Sequence, residues 1–394
     1  MSAAFSILSA RPEQLALVRL AQPGDSTPDQ IAAVVSDVQK WDLLLSLAKR
    51  HRLGPLLFHR LDSIDWSGVP AEVQASLRAI YRGSAGWNLM LSSHLVELVD
   101  ELAKLGIRAI AYKGLAVAEA YYHSQLLRPI GDVDLVVSPE GFESACQAAH
   151  RIGYREIDAC GYSRSLVRGH VEIEIHRQFS HANFPLDLSF DALWNRAELV
   201  RIADREVTTF APEDALILLS AHGVRHLWKR LIWLVDVAQL LAARPQMHWG
   251  IVSERADSIG CRRVVALSLL LCHRLFSTNI PPSAAGLLWQ EKRVRRLADM
   301  IQQQQFPSDA ESKTGRSHHF IRFLVRERLR DQLRMVTAAL VPHESEWQIY
   351  SLRSRFQWLA YLMRPPRLIA QYAWWVMSRR AKSLTVEIKN RITF

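Results

Sequence analysis

Cysteine is scarce in this 394-residue chain: there are four, at positions 146, 160, 261 and 272, and no Cys-x-x-Cys occurs. That excludes a zinc ribbon and a disulfide framework, and it suits a reducing cytoplasm. No stretch reaches 18 uninterrupted apolar residues, so no membrane-spanning helix is expected. Met1 to Pro12 lacks a charged segment followed by a long apolar one, so no secretory leader is expected either. The chain has no Gly-x-x-x-x-Gly-Lys-Ser/Thr turn and no His-Arg-Asp or Asp-Phe-Gly block, which excludes P-loop and kinase-type phosphate sites. Fixed-period repeats and extended low-complexity tracts are absent as well.

What remains is an ordinary globular composition, 49% hydrophobic and 22% charged, in a chain long enough for two or three domains. The formal net charge of +10 is unevenly spread. Residues 291–394 hold 20 Lys/Arg against 9 Asp/Glu, and the other 290 residues are close to neutral. A basic C-terminal quarter attracts phosphate-rich or acidic partners without saying which.

The hydrophobic pattern changes period along the chain. Helical spacing rules residues 1–100, including a run from Asp29 to Ala48 and a second from Ala71 through Ala103 with an interruption at Gly83 to Gly86. From Ile107 short strands alternate with helices: strand 107–112, turn 113–114, helix 115–124, strand 132–137, helix 139–151 capped by Ser138, then strands near 154–158, 162–168 and 170–176. Helical spacing returns in one run from Pro212 to Leu241, broken near Gly223, and in another over 249–275. Residues 303–318 read as a linker, followed by basic helices at 319–340 and 346–380. The fold expected is α+β: a small mixed-sheet core at 101–210, an N-terminal helical region at 1–100, a helical domain at 211–300 packing on the core, and a basic helical region at 301–394.

Within the core, two acidic pairs lie at i, i+2 in strand-like stretches: Asp132 and Asp134, then Glu172 and Glu174. Alternate side chains of a strand share a face, so each pair points one way and its apolar neighbours the other. Carboxylates roughly 7 Å apart along a strand can turn onto one cation. Without one they repel, by about 4 kcal/mol at about 4 Å and an effective dielectric of about 20. A metal or solvent is therefore called for.

The motifs that carry this pattern are Ala111-Tyr112-Lys113-Gly114-Leu115-Ala116, Arg128-Pro129-Ile130-Gly131-Asp132-Val133-Asp134, and Glu174-Ile175-His176. Farther on come Ala211-Pro212-Glu213-Asp214 and Trp233-Leu234-Val235-Asp236. Together they resemble the bacterial family of uncharacterised nucleotidyltransferases, within the DNA-polymerase-β-type superfamily. The resemblance implies Mg²⁺ (or Mn²⁺) held by Asp132, Asp134 and Glu174, with an NTP as substrate. Glu174 is preferred over Glu172 because the family block ends in Glu-x-His. The superfamily's phosphate-binding turn is usually Gly-Ser; here Lys113-Gly114 takes its place, so Lys113 and Gly114 are the expected phosphate contacts, with Arg128 beside them. The reaction implied is transfer of a nucleoside monophosphate, with loss of pyrophosphate, to a small-molecule, sugar or peptide acceptor; family members often accompany polysaccharide or peptide-natural-product genes. A long nucleic acid is not favoured. The alternative from a different class is a regulatory or scaffold protein that keeps the fold without catalysis.

Each of these residues also has a plainer reading. Lys113 can be a solvated strand end, and an arginine before proline is often a structural ion-pair partner. His222 and His226 have zinc-compatible i, i+4 spacing but no intervening glutamate, which favours simple helix packing. Asp236, in an apolar run, reads as a buried hydrogen-bond acceptor. The C-terminal helices mix Trp358, Tyr361, Tyr372, Trp374 and Trp375 with Arg353, Arg355, Arg364, Arg367, Arg379 and Arg380. That pattern fits ordinary packing with snorkelling arginines; peripheral contact with an anionic membrane is the rival, and RNA or DNA binding the third reading.

Overall fold

The computed structural model describes residues 11–24, 26–179, 184, 186–287, 291–306 and 317–340. The chain divides into two compact units, Met1–Arg328 and Leu329–Phe394. In chain order the first unit contains helices α1 (Pro12–Leu20), α2 (Pro28–Ser36), α3 (Trp41–His51), α4 (Gly54–Asp62) and α5 (Ala71–Lys104). Strand β1 (Ala109–Ala111), α6 (Gly114–Tyr122), β2 (Val133–Val137), α7 (Phe142–Arg151), β3 (Arg155–Cys160), β4 (Ser163–Arg168) and β5 (Val171–His176) follow. Next are α8 (Phe190–Trp194), β6 (Glu198–Ile202), β7 (Arg205–Thr209), α9 (Pro212–His226), α10 (Ile232–Ala243), α11 (Trp249–Ser258), α12 (Arg262–Phe276), α13 (Lys292–Gln305) and α14 (Ser317–Val325). In the second unit the described residues form α15 (Leu329–Leu340).

The α+β expectation holds. A five-stranded mixed sheet in the order β1-β2-β5-β4-β3 forms the core. Its one parallel pair is β2–β5, with Asp134 opposite Glu174; the β1–β2, β4–β5 and β3–β4 pairs are antiparallel. Every residue of β2 is buried, and α7 packs on β3 and β5 while α6 packs on β2. A separate hairpin, β6–β7, lies against β1 and α6.

Several helix limits differ from the pattern-based reading. The run from Asp29 to Ala48 is two helices. Thr27 caps α2 with a reciprocal Thr27–Gln30 pair, and the chain leaves helical geometry before Trp41 starts α3. By contrast α5 runs uninterrupted through Gly83 and Gly86, neither of which has a neighbour within 4 Å of its would-be Cβ. Residues 249–275 also split, at Gly260 with φ +65°, a backbone state that glycine adopts without steric cost. Ser138 does not cap the turn at Pro139 by its side chain. The expected linker begins late, because α13 continues to Gln305; residues 307–316 and the expected 346–380 helix lie outside the described residues.

The break expected near Gly223 falls after His226, and Gly223 itself is helical. Its role is packing. Trp228 is fully buried, donates its backbone N–H to the Gly223 carbonyl at 2.9 Å, and lays its indole across the glycine, so that an added Cβ would stand 2.0 Å from Nε1. The turn from Leu227 to Leu231 that results is tied to α3, since Leu231 N–H donates to the buried His51 Nδ1 at 3.1 Å. Burial keeps that imidazole neutral, its pKa pushed down to about 3. No helix of the described residues is long and apolar enough to cross a membrane.

Glycine to alanine inside a helix ordinarily gains about 1 kcal/mol. Gly223→Ala should instead lose about 1–3 kcal/mol by overpacking against Trp228. Urea unfolding measures this, and a more stable variant would show that the indole does not hold that place.

Candidate active site

The turn from β1 into α6 creates the site. Tyr112 N–H donates to the Asp134 carbonyl at 3.2 Å, which extends the β1–β2 ladder by one bond. The chain then bends sharply: Lys113 has φ +60° and ψ −154°, in the region that an L side chain rarely adopts. Gly114 follows with φ +35°, and a Cβ there would meet Ile130 Cγ2 at 3.1 Å and the Asp132 carbonyl oxygen at 3.5 Å. A larger residue at 114 would push the turn away from the loop before β2. Glycine thus lets the Lys113 turn and the Asp132 loop touch, and the start of α6 faces the acidic strand.

Asp134, on β2, is 7% exposed. Lys113 Nζ lies 3.0 Å from Asp134 Oδ1 and 4.2 Å from the centre of the Tyr112 ring. His176 Nε2 lies 3.3 Å from the same Asp134 oxygen and 3.2 Å from Glu174 Oε2. The other Glu174 oxygen accepts a 2.9 Å hydrogen bond from Ser163 Oγ on β4. Tyr112 Oη stands 3.4 Å from His176 Nε2, completing a partly buried polar network. Asp134, Glu174 and His176 each offer one ligating atom, and the three atoms lie within 4.8 Å of one another.

The parallel register decides which glutamate belongs here. Glu174 pairs with Asp134, whereas Glu172 sits two residues away and pairs with Val167. Asp132 precedes β2 and is outside the 4.8 Å group, although it is close enough to feel the charges of Asp134, Lys113 and Glu174.

Charge and burial pull these groups apart. Burial alone would raise Asp134, but Lys113 and His176 overcome it and hold the carboxyl below the usual carboxylate range. Burial works against the Lys113 charge too, and Asp134 more than restores it, so the ammonium lies above the usual lysine value. For His176 burial again opposes the charge, and hydrogen bonds to Asp134 and Glu174 raise it above an ordinary histidine. Glu174 is lowered by His176 against the effect of burial. Asp132 goes the other way: burial and the neighbouring Asp134 push it up to about 6. Tyr112 is pushed up to about 12, chiefly by burial.

Arg128 does not join this group. Its Nε and Nη2 donate to the two oxygens of Asp236 on α10, at 2.8 and 2.9 Å, and Tyr122 Oη donates to the same carboxylate at 2.7 Å. The Arg128 carbonyl is in turn bonded by the buried Asn88 amide at 2.8 Å. In place of the expected phosphate contact, the structure gives Arg128 a buried structural ion pair that anchors the loop before Asp132 to α10. Asp236 is the buried acceptor that the sequence suggests. His222 and His226 pack with ring centres 4.7 Å apart beside Trp233, and among the described residues they belong to no group of three ligating side chains.

Sequence reasoning passed over His176 as a member of the cluster. The signal was the i, i+2 step from Glu174, which puts the imidazole on the carboxylates' own face of β5. Tyr112 carries no comparable signal, because its hydroxyl enters through a contact across the sheet.

A mixed sheet with paired acids on neighbouring strands, beside a glycine turn that opens a helix, is the arrangement of a nucleotidyltransferase core. Residues 37–277 match the model of a family described as uncharacterised nucleotidyltransferase, and the chain belongs to that family. A search of the curated proteins finds no match. Among solved structures the chain is similar to ANT(2")-Ia in complex with adenylyl-2"-tobramycin, at 12% identity over 43% of this chain and 95% of that one, with a TM-score of 0.33. It is also similar to the lincosamide antibiotic adenylyltransferase LnuA bound to lincomycin, at 15% identity over 38% of this chain and 96% of that one, TM-score 0.30. A third is an antigenic nucleotidyltransferase-like protein from Paracoccidioides brasiliensis, at 14% identity over 50% and 94%, TM-score 0.28.

The raised pKa of Asp132 makes the stability of the fold depend on pH. Its charged form is disfavoured in the folded state, so the cost is full above pH 6 and disappears as pH falls towards the unfolded value near 4. In EDTA, Asp132→Asn should therefore be about 1–2 kcal/mol more stable than the parent at pH 7.5, after allowance for solvent screening, with little difference at pH 4. Equal melting temperatures at pH 7.5 would show that the carboxylate bears no such cost.

Proposed function

We propose that this protein is a divalent-metal-dependent nucleotidyltransferase that moves a nucleoside monophosphate from an NTP to a hydroxyl on a small-molecule, sugar or peptide acceptor, releasing pyrophosphate. The observation that carries the reading is Asp134 and Glu174 facing each other in register, joined by His176, with Lys113 at the mouth of α6. Two carboxylates converging at a buried strand pair form a hard oxygen donor set of the kind that suits Mg²⁺ or Mn²⁺. Asp134 and Glu174, with Asp132 two residues along, would hold the ion. A divalent cation bound there neutralises charge on the triphosphate and lowers the pKa of an acceptor hydroxyl.

The chain's own residues account for the rest. In the reaction, the acceptor oxygen forms a bond to the α-phosphorus, the bond from that phosphorus to the bridging oxygen breaks, and pyrophosphate leaves with the electron pair. The acceptor proton passes to a site carboxylate and then to solvent. Lys113 donates to the phosphates; the Gly114 turn and the start of α6 bring backbone N–H groups and the positive end of a helix to the same place. His176 positions both carboxylates by bonding each of them. Arg128 contributes indirectly, since its pairing with Asp236 fixes the loop that presents Asp132. Catalysis of this kind is mainly positioning and charge neutralisation.

One observation favours the scaffold reading: Lys113 already satisfies Asp134 at 3.0 Å, as a resident cation would. Calorimetry with Mg²⁺ and each NTP separates the two readings, because a scaffold shows no metal-dependent nucleotide binding.

The direct test is a pyrophosphate-release assay on Asp132→Asn/Asp134→Asn. The double variant should lose activity by at least about a hundredfold while keeping the parent's circular dichroism. NTP turnover retained by the variant, or nucleoside diphosphate as the product, would overturn the assignment.

A further inference from the structure

Opposite the acidic strands, the helical region presents a wall of positive charge. It is assembled from three segments: the C-terminus of α3, the end of α9 with the turn into α10, and α14. Arg52 ends α3 in a left-handed C-cap with φ +57°, and the hydrogen bond from Leu231 N–H to His51 brings the α9–α10 turn, with Lys229 and Arg230, beside it. On the last turn of α9, Arg225 Nε donates to His226 Nε2 at 3.3 Å, which requires that ring nitrogen to be unprotonated. Arg322 of α14 reaches the same place, donating to the Arg225 carbonyl. His226 stacks on Trp233, with ring centres 4.7 Å apart, and the Arg230 guanidinium lies 5.8 Å from the centre of the Trp233 ring.

This wall faces the site. Arg52 Nη1 lies 3.6 Å from where a Cβ on Gly131 would stand, one residue from Asp132. Arg225 is near enough to Lys113 for the two charges to repel, and Arg52 feels both Arg230 and Asp132. None of Arg52, Arg225 and Arg230 forms an ion pair with a carboxylate among the described residues. This contrasts with Arg108, Arg128, Arg168, Arg196 and Arg255, each of which does. Arg52, Lys229 and Arg230 are exposed, and Arg225, His226 and Arg322 are half-buried, so the surface is open to a ligand. Gathering several guanidinium groups without a counter-charge costs electrostatic energy that a bound anion would offset. Guanidinium is also the side-chain group best shaped for paired hydrogen bonds to phosphate oxygens.

We propose that Arg52, Arg225, Arg230 and Arg322 form a phosphate-binding subsite beside the carboxylates, which takes a ligand carrying two or more linked phosphates. That this ligand is a substrate rests on the nucleotidyltransferase reading; the binding itself does not. The shared chemistry has two sources: the terminal phosphates of the NTP, or a phosphorylated acceptor.

The test is calorimetry on the full chain in EDTA, with sodium tripolyphosphate as the probe. The parent should bind it, and Arg52→Gln/Arg225→Gln/Arg230→Gln should bind at least tenfold more weakly. Arg293→Gln/Arg295→Gln/Arg296→Gln removes the same net charge from an exposed face of α13 and should bind like the parent. Absence of binding by the parent, or an equal loss in both triple variants, overturns the proposal. If the first triple variant melts well below the parent, Arg52→Gln and Arg230→Gln singly, both at exposed positions, should each still weaken binding about threefold or more; parent-like affinity in both overturns it. Preloading with ATP, at a concentration that its own titration in EDTA shows to saturate the protein, assigns the source. Loss of tripolyphosphate binding identifies the nucleotide's phosphates, and undiminished binding beside bound ATP identifies a phosphorylated acceptor. Because no metal and no turnover enter this measurement, tripolyphosphate binding without pyrophosphate release in the activity assay would sink the enzymatic reading alone.

Discussion

The site depends on one buried carboxylate being kept ionised. Asp134 sits in a strand buried along its whole length, where an unpaired charge would cost several kcal/mol. Lys113 and His176 supply the compensation, and each is placed by a different piece of the fold: Lys113 by the strained turn into α6, His176 by the parallel register of β5 on β2. His176 also bridges to Glu174, so one imidazole joins the acids of the two strands.

The surrounding helices hold this arrangement from outside. α10 packs on α6, the helix that begins at the site, and Asp236 on α10 receives Arg128 and Tyr122 in one buried cluster. Breaking such a pair by removing one partner typically costs 3–5 kcal/mol, because a charge is left buried alone. The same helical region brings Arg225 towards Lys113 and Arg230 towards Arg52. The core sheet therefore supplies the carboxylates and the helical region supplies cations, and both are positioned by packing within the Met1–Arg328 unit.

Much of the core was legible in the residues. The pattern at 132–137 and 170–176 marks the two strands, although β2 begins only at Val133 and leaves Asp132 outside the Asp134–Glu174–His176 group, and Pro139 and Gly153 bound the helix between them. Period alone does not reveal where long helical runs stop. The α2–α3 break depends on the Thr27–Gln30 cap and on Lys40 leaving the helix, while Gly83 and Gly86 pass unnoticed in α5 because nothing crowds them. The β6–β7 hairpin was missed: its exposed Leu199 and the polar residues of Arg205–Thr209 blur the period-two signal. In the site, spacing marked the pairs Asp132/Asp134 and Glu172/Glu174, and the Glu-x-His block of the resembled family selected Glu174; the register that sets Glu174 beside Asp134 and leaves Asp132 outside the group is a property of two strands together. Arg128 could not be placed from its own neighbours, because its partner Asp236 lies 108 residues away.

On the proposed reading, Asp134 and Glu174 form a divalent-cation centre with Lys113 and His176 beside it. A crystal structure with Mn²⁺ and a non-hydrolysable NTP analogue, read by anomalous scattering at the manganese edge, tests it most directly. A peak in contact with both Asp134 and Glu174 is expected, with the Lys113 ammonium moved from the carboxylate towards the phosphates. A nucleotide bound with no peak there, or manganese held elsewhere while Lys113 keeps its grip on Asp134, would contradict it.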